Sequence, residues 1–181
     1  MNQPGMKGSL EWWASVLLRL GGSVPEPASV EDLAALEARI ARPVCASYRA
    51  LLLTSDGFPS FGERVGRLLP AAEVDWFAKR NPAAAQEISD FLKQGNPSKP
   101  EGAEDPKWRL DIPLHSLEIT EPRDGVSLLL HPKRGRGGGE WEVWLLQGAV
   151  PKRFPTLPDF AEYEVRNLGK RTPSGVPAVE E

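Results

Sequence analysis

The spacing of apolar residues changes along this chain, and that change constrains the fold more than any other feature of the sequence. Near the N-terminus, Leu10, Trp13 and Leu17 recur three and four positions apart, which is typical of an amphipathic helix. Toward the C-terminus the apolar residues alternate instead, as expected for strands. Helices first, antiparallel strands next and a helix last predict an α+β fold, in which an antiparallel sheet is surrounded by helices.

Residues with special backbone preferences set the predicted helix boundaries. A Gly-Gly pair at 21–22 ends the first helix, and Ser29 is a favourable N-cap for the second. The second helix ends before Pro43, because the residue ahead of a proline avoids the helical region. Its apolar residues Val30, Leu33, Leu36 and Ile40 follow one another as one stripe. The predicted helices are 10–20, 30–42, 46–54, 76–94 with a break at 81–82, and 157–165.

The best predicted strand runs from Glu140 to Gln147 and carries Trp141, Val143 and Leu145 on one face. Trp144 lies on the opposite face, because successive side chains of a strand alternate. We therefore expect one of these two tryptophans beneath a helix, and the other facing solvent or covered by another segment. Further strands are predicted at 68–73, within 109–120, at 126–131 and at 152–154.

The length of 181 residues suits one domain with loose ends. We expect a flexible N-terminus at residues 1–8, one domain over residues 9–168 and a disordered C-terminal tail at residues 169–181. A polar stretch rich in proline and glycine occupies residues 95–107. Connections of this length are uncommon in compact domains, so we expect this one to be either mobile or functional.

Composition limits the cellular compartment that we expect for the protein and the class of partner that it binds. The chain has no run of about 18 apolar residues and no secretory signal, so we expect no membrane segment. Cys45 is the single cysteine, which suits a reducing compartment, and we expect a cytoplasmic protein. The net charge of −3 argues against direct binding of nucleic acid and is compatible with a basic protein partner.

Few residues of the chain could carry chemistry. One cysteine and two histidines cannot form a standard structural zinc site, and we expect His115 and His131 at the surface or at a sheet edge. Cys45 stands at a helix start, where a thiol can become reactive, but a buried structural cysteine is favoured. The sequence contains no G-x-S-x-G motif. We expect no catalytic residue, no metal and no cofactor.

The glycine-rich stretch at residues 135–139 could in principle bind phosphate. It lacks the Gly-Lys-Ser/Thr of a P-loop, Glu140 replaces the last glycine of a dinucleotide-binding turn, and a strand follows instead of a helix. A flexible hairpin loop is therefore favoured. His131, Lys133, Arg134 and Arg136 make its tip basic, and a solvated tip is favoured over a contact with phosphate or an acidic partner.

Residues Ala28 to Phe58 read ASVEDLAALEARIARPVCASYRALLLTSDGF. This stretch resembles the signature of the SUKH superfamily, which includes fungal cell-wall-synthesis regulators and many bacterial immunity proteins. Asp56 stands where the family usually has asparagine, and Leu51 where phenylalanine is common. The residues that match the signature are Glu31, Leu33, Leu36, Glu37, Pro43, Tyr48, Arg49, Leu52, Leu53, Ser55 and Gly57.

The resemblance implies a single α+β domain that is not an enzyme. Similar bacterial proteins commonly neutralise a cognate toxin, often a nuclease, by binding it. Two alternatives stay open: a regulatory or scaffolding module of the same fold without a toxin partner, and an uncharacterised enzyme or nucleotide binder.

Glu73 and Asp75 form an acidic pair that could serve in acid–base chemistry, but a plain surface role is favoured for them.

Partner-binding residues are expected among exposed aromatic and acidic side chains near the 55–73 loop and the 95–107 stretch, because loops on a rigid scaffold commonly carry binding. These candidates are Asp56, Phe58, Phe61, Glu73, Asp75, Trp76 and Trp108.

Overall fold

The computed structural model describes residues 5–62, 64–93, 111–132, 139–147 and 151–168, and it shows a mixed α+β domain. The α-helices are α1 (Leu10–Leu20), α2 (Val30–Ile40), α3 (Ala46–Leu52), α4 (Phe77–Arg80), α5 (Pro82–Lys93) and α6 (Leu157–Asn167). The strands are β1 (Asp75–Trp76), β2 (Leu117–Glu118), β3 (Ser127–His131), β4 (Glu142–Leu146) and β5 (Lys152–Phe154). A short 3-10 helix, Pro113–His115, precedes β2.

The five strands form one antiparallel sheet in the order β1-β2-β3-β4-β5, so neighbours in sequence are neighbours in space. The central pair is β3 with β4, whose register runs from Ser127 opposite Leu146 to His131 opposite Glu142. The predicted α+β class and antiparallel sheet are therefore confirmed. Among the described residues, no helix is both long enough and apolar enough to cross a membrane.

The helix boundaries follow from local hydrogen bonds. Ser29 and Asp32 form a capping box at the start of α2, in which each side chain accepts from the other residue's backbone N–H at 3.0 Å. Leu33, Leu36 and Ile40 are buried as predicted, whereas Val30 is 63% exposed. The stripe therefore faces the core from Leu33 onward and is exposed at its first residue.

The main core lies on one face of the sheet, where α1, α2, α3 and α6 contribute buried side chains. Trp141, Val143 and Leu145 belong to this core, while Trp144 lies on the opposite face. The predicted split of the two tryptophans is confirmed, and both are buried. Trp144 is covered within a second, smaller core, which it forms with Phe77, Ile112 and Leu129.

The second face also buries charge, and each buried carboxylate has several partners. Glu118 accepts from Arg80 Nε and Asn81 Nδ2 at 2.9 Å and from Ser127 Oγ at 2.9 Å. Glu142 accepts from the Trp144 indole N–H at 2.9 Å and pairs with Arg153. Such partners are needed, because an unpaired carboxylate in a dry interior is strongly unfavourable.

The predicted strand at residues 68–73 is wrong. Leu68 forms only isolated bridges, to Phe58 and to Thr120. After it, Pro70 offers no backbone donor, and its carbonyl accepts from the amides of Glu73 and Val74 to make a turn. The strand begins two residues beyond the predicted end, at β1.

Residues 5–8 are the described part of the predicted loose N-terminus, and two of them contact the rest of the domain. Lys7 Nζ lies 2.6 Å from Asp159 Oδ1 and 3.0 Å from Glu162 Oε2, which places this segment against α6. Gly8, at a positive φ of 86°, lies beside Pro158 and Ser47. The tail at residues 169–181 and the stretch at 95–107 lie outside the described residues.

Candidate functional site

Trp76 occupies the edge of the sheet, and the main chain that presents it is held firmly. It lies on β1, the first strand in the sheet order, opposite Leu117 of β2. Arg39 of α2 donates to the carbonyl of Ala71 at 2.5 Å and to that of Val74 at 2.8 Å. The half-buried Trp76 side chain is therefore carried on a backbone that is bonded both to the sheet and to a helix.

A shallow cavity of about 230 Å³ opens beside this tryptophan. We call it the Trp76 pocket; its lining residues are Arg42, Trp76, Leu114, His115 and Pro132. The guanidinium carbon of Arg42 lies 5.6 Å from the Trp76 ring centroid, within the range of a cation–π contact. Tryptophan and arginine are both among the residues most enriched at the energetic centres of protein interfaces.

A cluster of ion pairs lies near the pocket in sequence and in space. Arg67 binds Glu73 at 2.6 Å through Nη2 and Glu121 at 2.9 Å through Nε. Hydrogen bonds from Arg67 to Glu73 and then to Glu121 raise the pKa of the guanidinium. Asp75 pairs with Lys79 at 3.2 Å. These pairs are largely exposed, so each contributes little stability and is screened by salt. The edge therefore offers charges of both signs to a partner.

Asp56 has a structural contact in this region. Its carboxylate accepts from the Ala71 amide at 2.6 Å, and its own amide donates to the Glu26 carbonyl at 2.8 Å. It thereby joins the end of α3 to the turn that leads into β1. Of the predicted partner-binding residues, the structure places Glu73, Asp75 and Trp76 along one edge, with Asp56 holding the turn before them.

The expectation that Phe58 and Phe61 are exposed is wrong. Phe58 is 2% exposed and its backbone is doubly bonded to Leu68, at 3.1 and 2.7 Å. Phe61 is fully buried, with its ring centroid 6.1 Å from that of Trp13 and 6.0 Å from that of Phe160. Both rings fill the main core, where Phe61 contacts Trp13 of α1 and Phe160 of α6. Trp108 lies outside the described residues.

The histidines and the cysteine do not form a reactive site in the described part of the chain. Among those residues no group of three or more His, Cys, Asp or Glu side chains is placed to hold a metal. His115 is exposed as expected, but His131 is buried in the central strand β3, so its predicted surface position is wrong. Burial raises the pKa of the Cys45 thiol to about 11, which favours the inert thiol over the thiolate.

A second and larger groove, of about 340 Å³, runs between α1 and α6. Trp12 lines it together with Glu11, Arg19, Glu162 and Arg166. Two of these charges already pair across one turn of α6, Arg166 with Glu162 at 3.0 Å. The groove includes none of the residues that the sequence predicted for partner binding, so the Trp76 pocket is the stronger candidate.

Sequence reasoning missed four residues of the pocket: Arg42, Leu114, His115 and Pro132. Arg42 follows the end of α2, where Ala41 takes a left-handed conformation with φ of 57° and turns the chain toward β1. Leu114 and Pro132 come from segments that reach the pocket only through sheet pairing. No local pattern marks any of the four as a binding residue, because the contacts that bring them together are distant in sequence.

The residues that carry the SUKH resemblance make structural contacts. Glu37 accepts from Arg49 Nη1 at 2.8 Å and from the Val44 amide at 3.1 Å, which ties α2 to α3 across Pro43. Ser55 donates to the Gly57 carbonyl at 2.5 Å. Neither models of known protein families nor curated proteins gave a match to this chain. The resemblance therefore remains one between short stretches of sequence.

Proposed function

We propose that this chain is a non-enzymatic, SUKH-like domain that binds another protein. In this proposal it is an immunity protein that neutralises a cognate bacterial toxin domain, such as a nuclease, by covering the toxin's functional surface. The binding takes place in the cytoplasm, and the lone, buried thiol of Cys45 is compatible with a reducing compartment.

The observation that carries the proposal is the Trp76 pocket. A half-buried tryptophan with Arg42 5.6 Å from its ring is held on a bonded sheet edge, beside charges of both signs. A pre-organised aromatic anchor binds with a small loss of side-chain entropy, and surrounding charges guide the approach of a complementary partner. The signature-like stretch from Ala28 to Phe58 supports the choice of an immunity protein among the possible binding proteins.

The proposal is tested by asking whether the protein protects cells from a toxin. The protein is produced together with each toxin-like domain that its gene neighbourhood encodes, and growth is followed; the affinity of the purified pair is then measured by calorimetry. We expect the wild type to restore growth and Trp76→Ala to weaken binding by roughly 30-fold or more, as for a hot-spot residue.

The matched control is Phe91→Ala, which removes a 48% exposed aromatic ring from α5. It should change the affinity by less than about twofold, since exposed rings outside an interface contribute little. Both variants are checked for an unchanged melting profile. A wild-type protein that neither binds nor protects would contradict the immunity role and favour the regulatory module. If the Trp76→Ala variant still protects the cells, the interface lies elsewhere on the surface.

A further inference from the structure

Two cations converge on one half-buried aromatic ring at the far edge of the sheet. Lys152 Nζ lies 3.6 Å from the ring centroid of Tyr163, and the guanidinium carbon of Arg64 lies 5.7 Å from the same centroid. The two cations are therefore no more than about a Debye length apart at 0.1 M salt, so each raises the electrostatic potential at the other. We call Arg64, Lys152 and Tyr163 the β5 surface.

Neither cation is neutralised within the part of the chain that the structure describes. The Lys152 ammonium has no ion pair with any described residue and lies over the rings of Tyr163 and of Phe154, whose centroid is 5.4 Å from Nζ. Arg64 has one hydrogen bond, to the uncharged Gln147 side chain at 3.3 Å. Elsewhere Lys7, Lys79 and Lys93 each pair with a carboxylate. The β5 surface is thus a local excess of positive charge on a chain whose net charge is −3.

The backbone at this place is also available. β5 is the last strand of the sheet order, and none of the described strands pairs with its outer side. An edge strand offers unpaired N–H and C=O groups to an extended segment of another chain. Lys152 and Phe154 lie on the face of β5 that contacts Tyr163, so the side chains beside that edge combine an apolar ring with positive charge.

We propose that the β5 surface docks an extended, acidic segment of a partner protein, which pairs with β5 and places its carboxylates on Lys152 and Arg64. The rings hold both cations in position without neutralising them, which leaves their charge for the ligand. This inference concerns the opposite edge of the sheet from the Trp76 pocket and does not depend on the toxin proposal. A charged edge also discourages aggregation between sheets, and the test separates that role from binding.

The probe is a short fluorescent peptide of alternating glutamate and threonine, titrated with the full-length protein and followed by fluorescence polarisation. The comparison probes are the same peptide with lysine in place of glutamate and a single-stranded oligonucleotide of similar length. Variants are Lys152→Gln, Arg64→Gln and the control Lys93→Gln, which removes a solvent-exposed charge on α5.

We expect the glutamate peptide to bind, and to bind more weakly as salt is raised. Each of Lys152→Gln and Arg64→Gln should lower its affinity roughly three- to fivefold, as expected for an exposed charge pair, and Lys93→Gln by less than about 1.5-fold. Equal affinity for the lysine peptide, or an affinity that the Lys152→Gln/Arg64→Gln double variant retains, would overturn the proposal. Tighter binding of the oligonucleotide would overturn the choice of a protein segment. Trp76→Ala should leave peptide binding unchanged.

Discussion

Tyr48 is fully buried, yet its hydroxyl has no hydrogen-bond partner among the described residues. Burial, and then the nearby Cys45 and Asp56, raise the pKa of this hydroxyl, so it stays protonated over the ordinary pH range. A buried polar group without a partner loses its hydration and gains no hydrogen bond in the folded state, so its burial is destabilising. We therefore expect Tyr48→Phe to leave the free energy of unfolding unchanged or to raise it by up to about 1 kcal/mol.

Urea unfolding followed by circular dichroism measures this effect. Ser55→Ala is the contrasting variant, because Ser55 is equally buried but donates to the Gly57 carbonyl at 2.5 Å. Its removal leaves that carbonyl without its donor and should cost about 1–2 kcal/mol. A loss of more than about 1 kcal/mol on Tyr48→Phe would mean that the Tyr48 hydroxyl has a partner, such as a buried water molecule.

The residues of the candidate site can be predicted only in part from the sequence. Trp76 can be singled out because its neighbours Glu73 and Asp75 are polar and the segment lies near a loop, and the structure places it half-buried at the sheet edge. Phe58 and Phe61 lie in an equally loop-like context, and nothing local shows that both rings pack into the main core. Exposure of an aromatic ring depends on what packs over it, which is decided by residues far away in sequence.

The turn between α3 and β1 depends on one glycine. Gly57 has a positive φ of 84°, and a Cβ there would lie 3.0 Å from the Leu68 carbonyl oxygen and 3.1 Å from Pro70 N. Gly125 has a similar φ of 74°, but a Cβ at that position would have no atom within 4 Å. Gly125→Ala should therefore cost only the conformational strain, about 1–2 kcal/mol, whereas Gly57→Ala should cost clearly more.

Thermal or urea unfolding of both variants gives the comparison directly. Each variant lowers the free energy of unfolding, and the backbone strain is similar in both. The difference between the two decreases therefore measures the cost of the steric clash at position 57. Equal losses would show that the turn can shift away from an added methyl group. That result would contradict a tightly packed joint between residues 55–57 and residues 68–71.

The segment at residues 5–8 is tied to α6 by a titratable pair. Partial burial would raise the pKa of Asp159, but hydrogen bonds from Lys7 and Thr156 outweigh this effect and lower it. A lowered pKa in the folded state means stability that is present above about pH 4 and is lost as the pH falls through the folded value. Lys7→Met should therefore destabilise the protein near pH 6, and this effect should shrink as the pH falls below about 4.

The size should be below about 1 kcal/mol, because both side chains are about a third exposed and water screens the pair. Unfolding free energies of wild type and variant are compared across this pH range. Lys152→Met is the control, since Lys152 has no carboxylate partner among the described residues. A Lys7→Met effect that persists at the lowest pH would mean that packing, rather than charge, holds the segment.

Elements with a clear local pattern were predictable, and these include the strands β3, β4 and β5. The very short strand β1, which has no such pattern, was not predictable. The start of α2 follows from Ser29 and Asp32, which lie within one short segment of the chain. By contrast, β1 has only two residues, and it is a strand because Asp75 and Trp76 meet Glu118 and Leu117. The apolar pair at 68–69 favours a strand more strongly, yet the turn that follows prevents those residues from extending one.

For the molecule as a whole, the central feature is a sheet with a core on each face. Leu36 lies in the main core, and Leu129 lies in the smaller core under α4 and α5. Both side chains are fully buried, so each substitution to alanine should cost about 2–4 kcal/mol. The two cores share β3 and β4, which places Leu128 and Leu129 back to back in one strand.

Unfolding of either core would expose β3 and β4, which also form part of the other core. We therefore expect both variants to unfold in a single cooperative transition. Tryptophan fluorescence reports Trp13 and Trp141 in the main core and Trp144 in the smaller one, while circular dichroism reports the helices. Coincident curves by both probes, shifted by similar amounts in Leu36→Ala and Leu129→Ala, are the expected outcome. A Leu129→Ala curve that splits by probe would show that the smaller core melts separately. The β1 edge, which borders α4, would then be a mobile support for the Trp76 pocket instead of a rigid one.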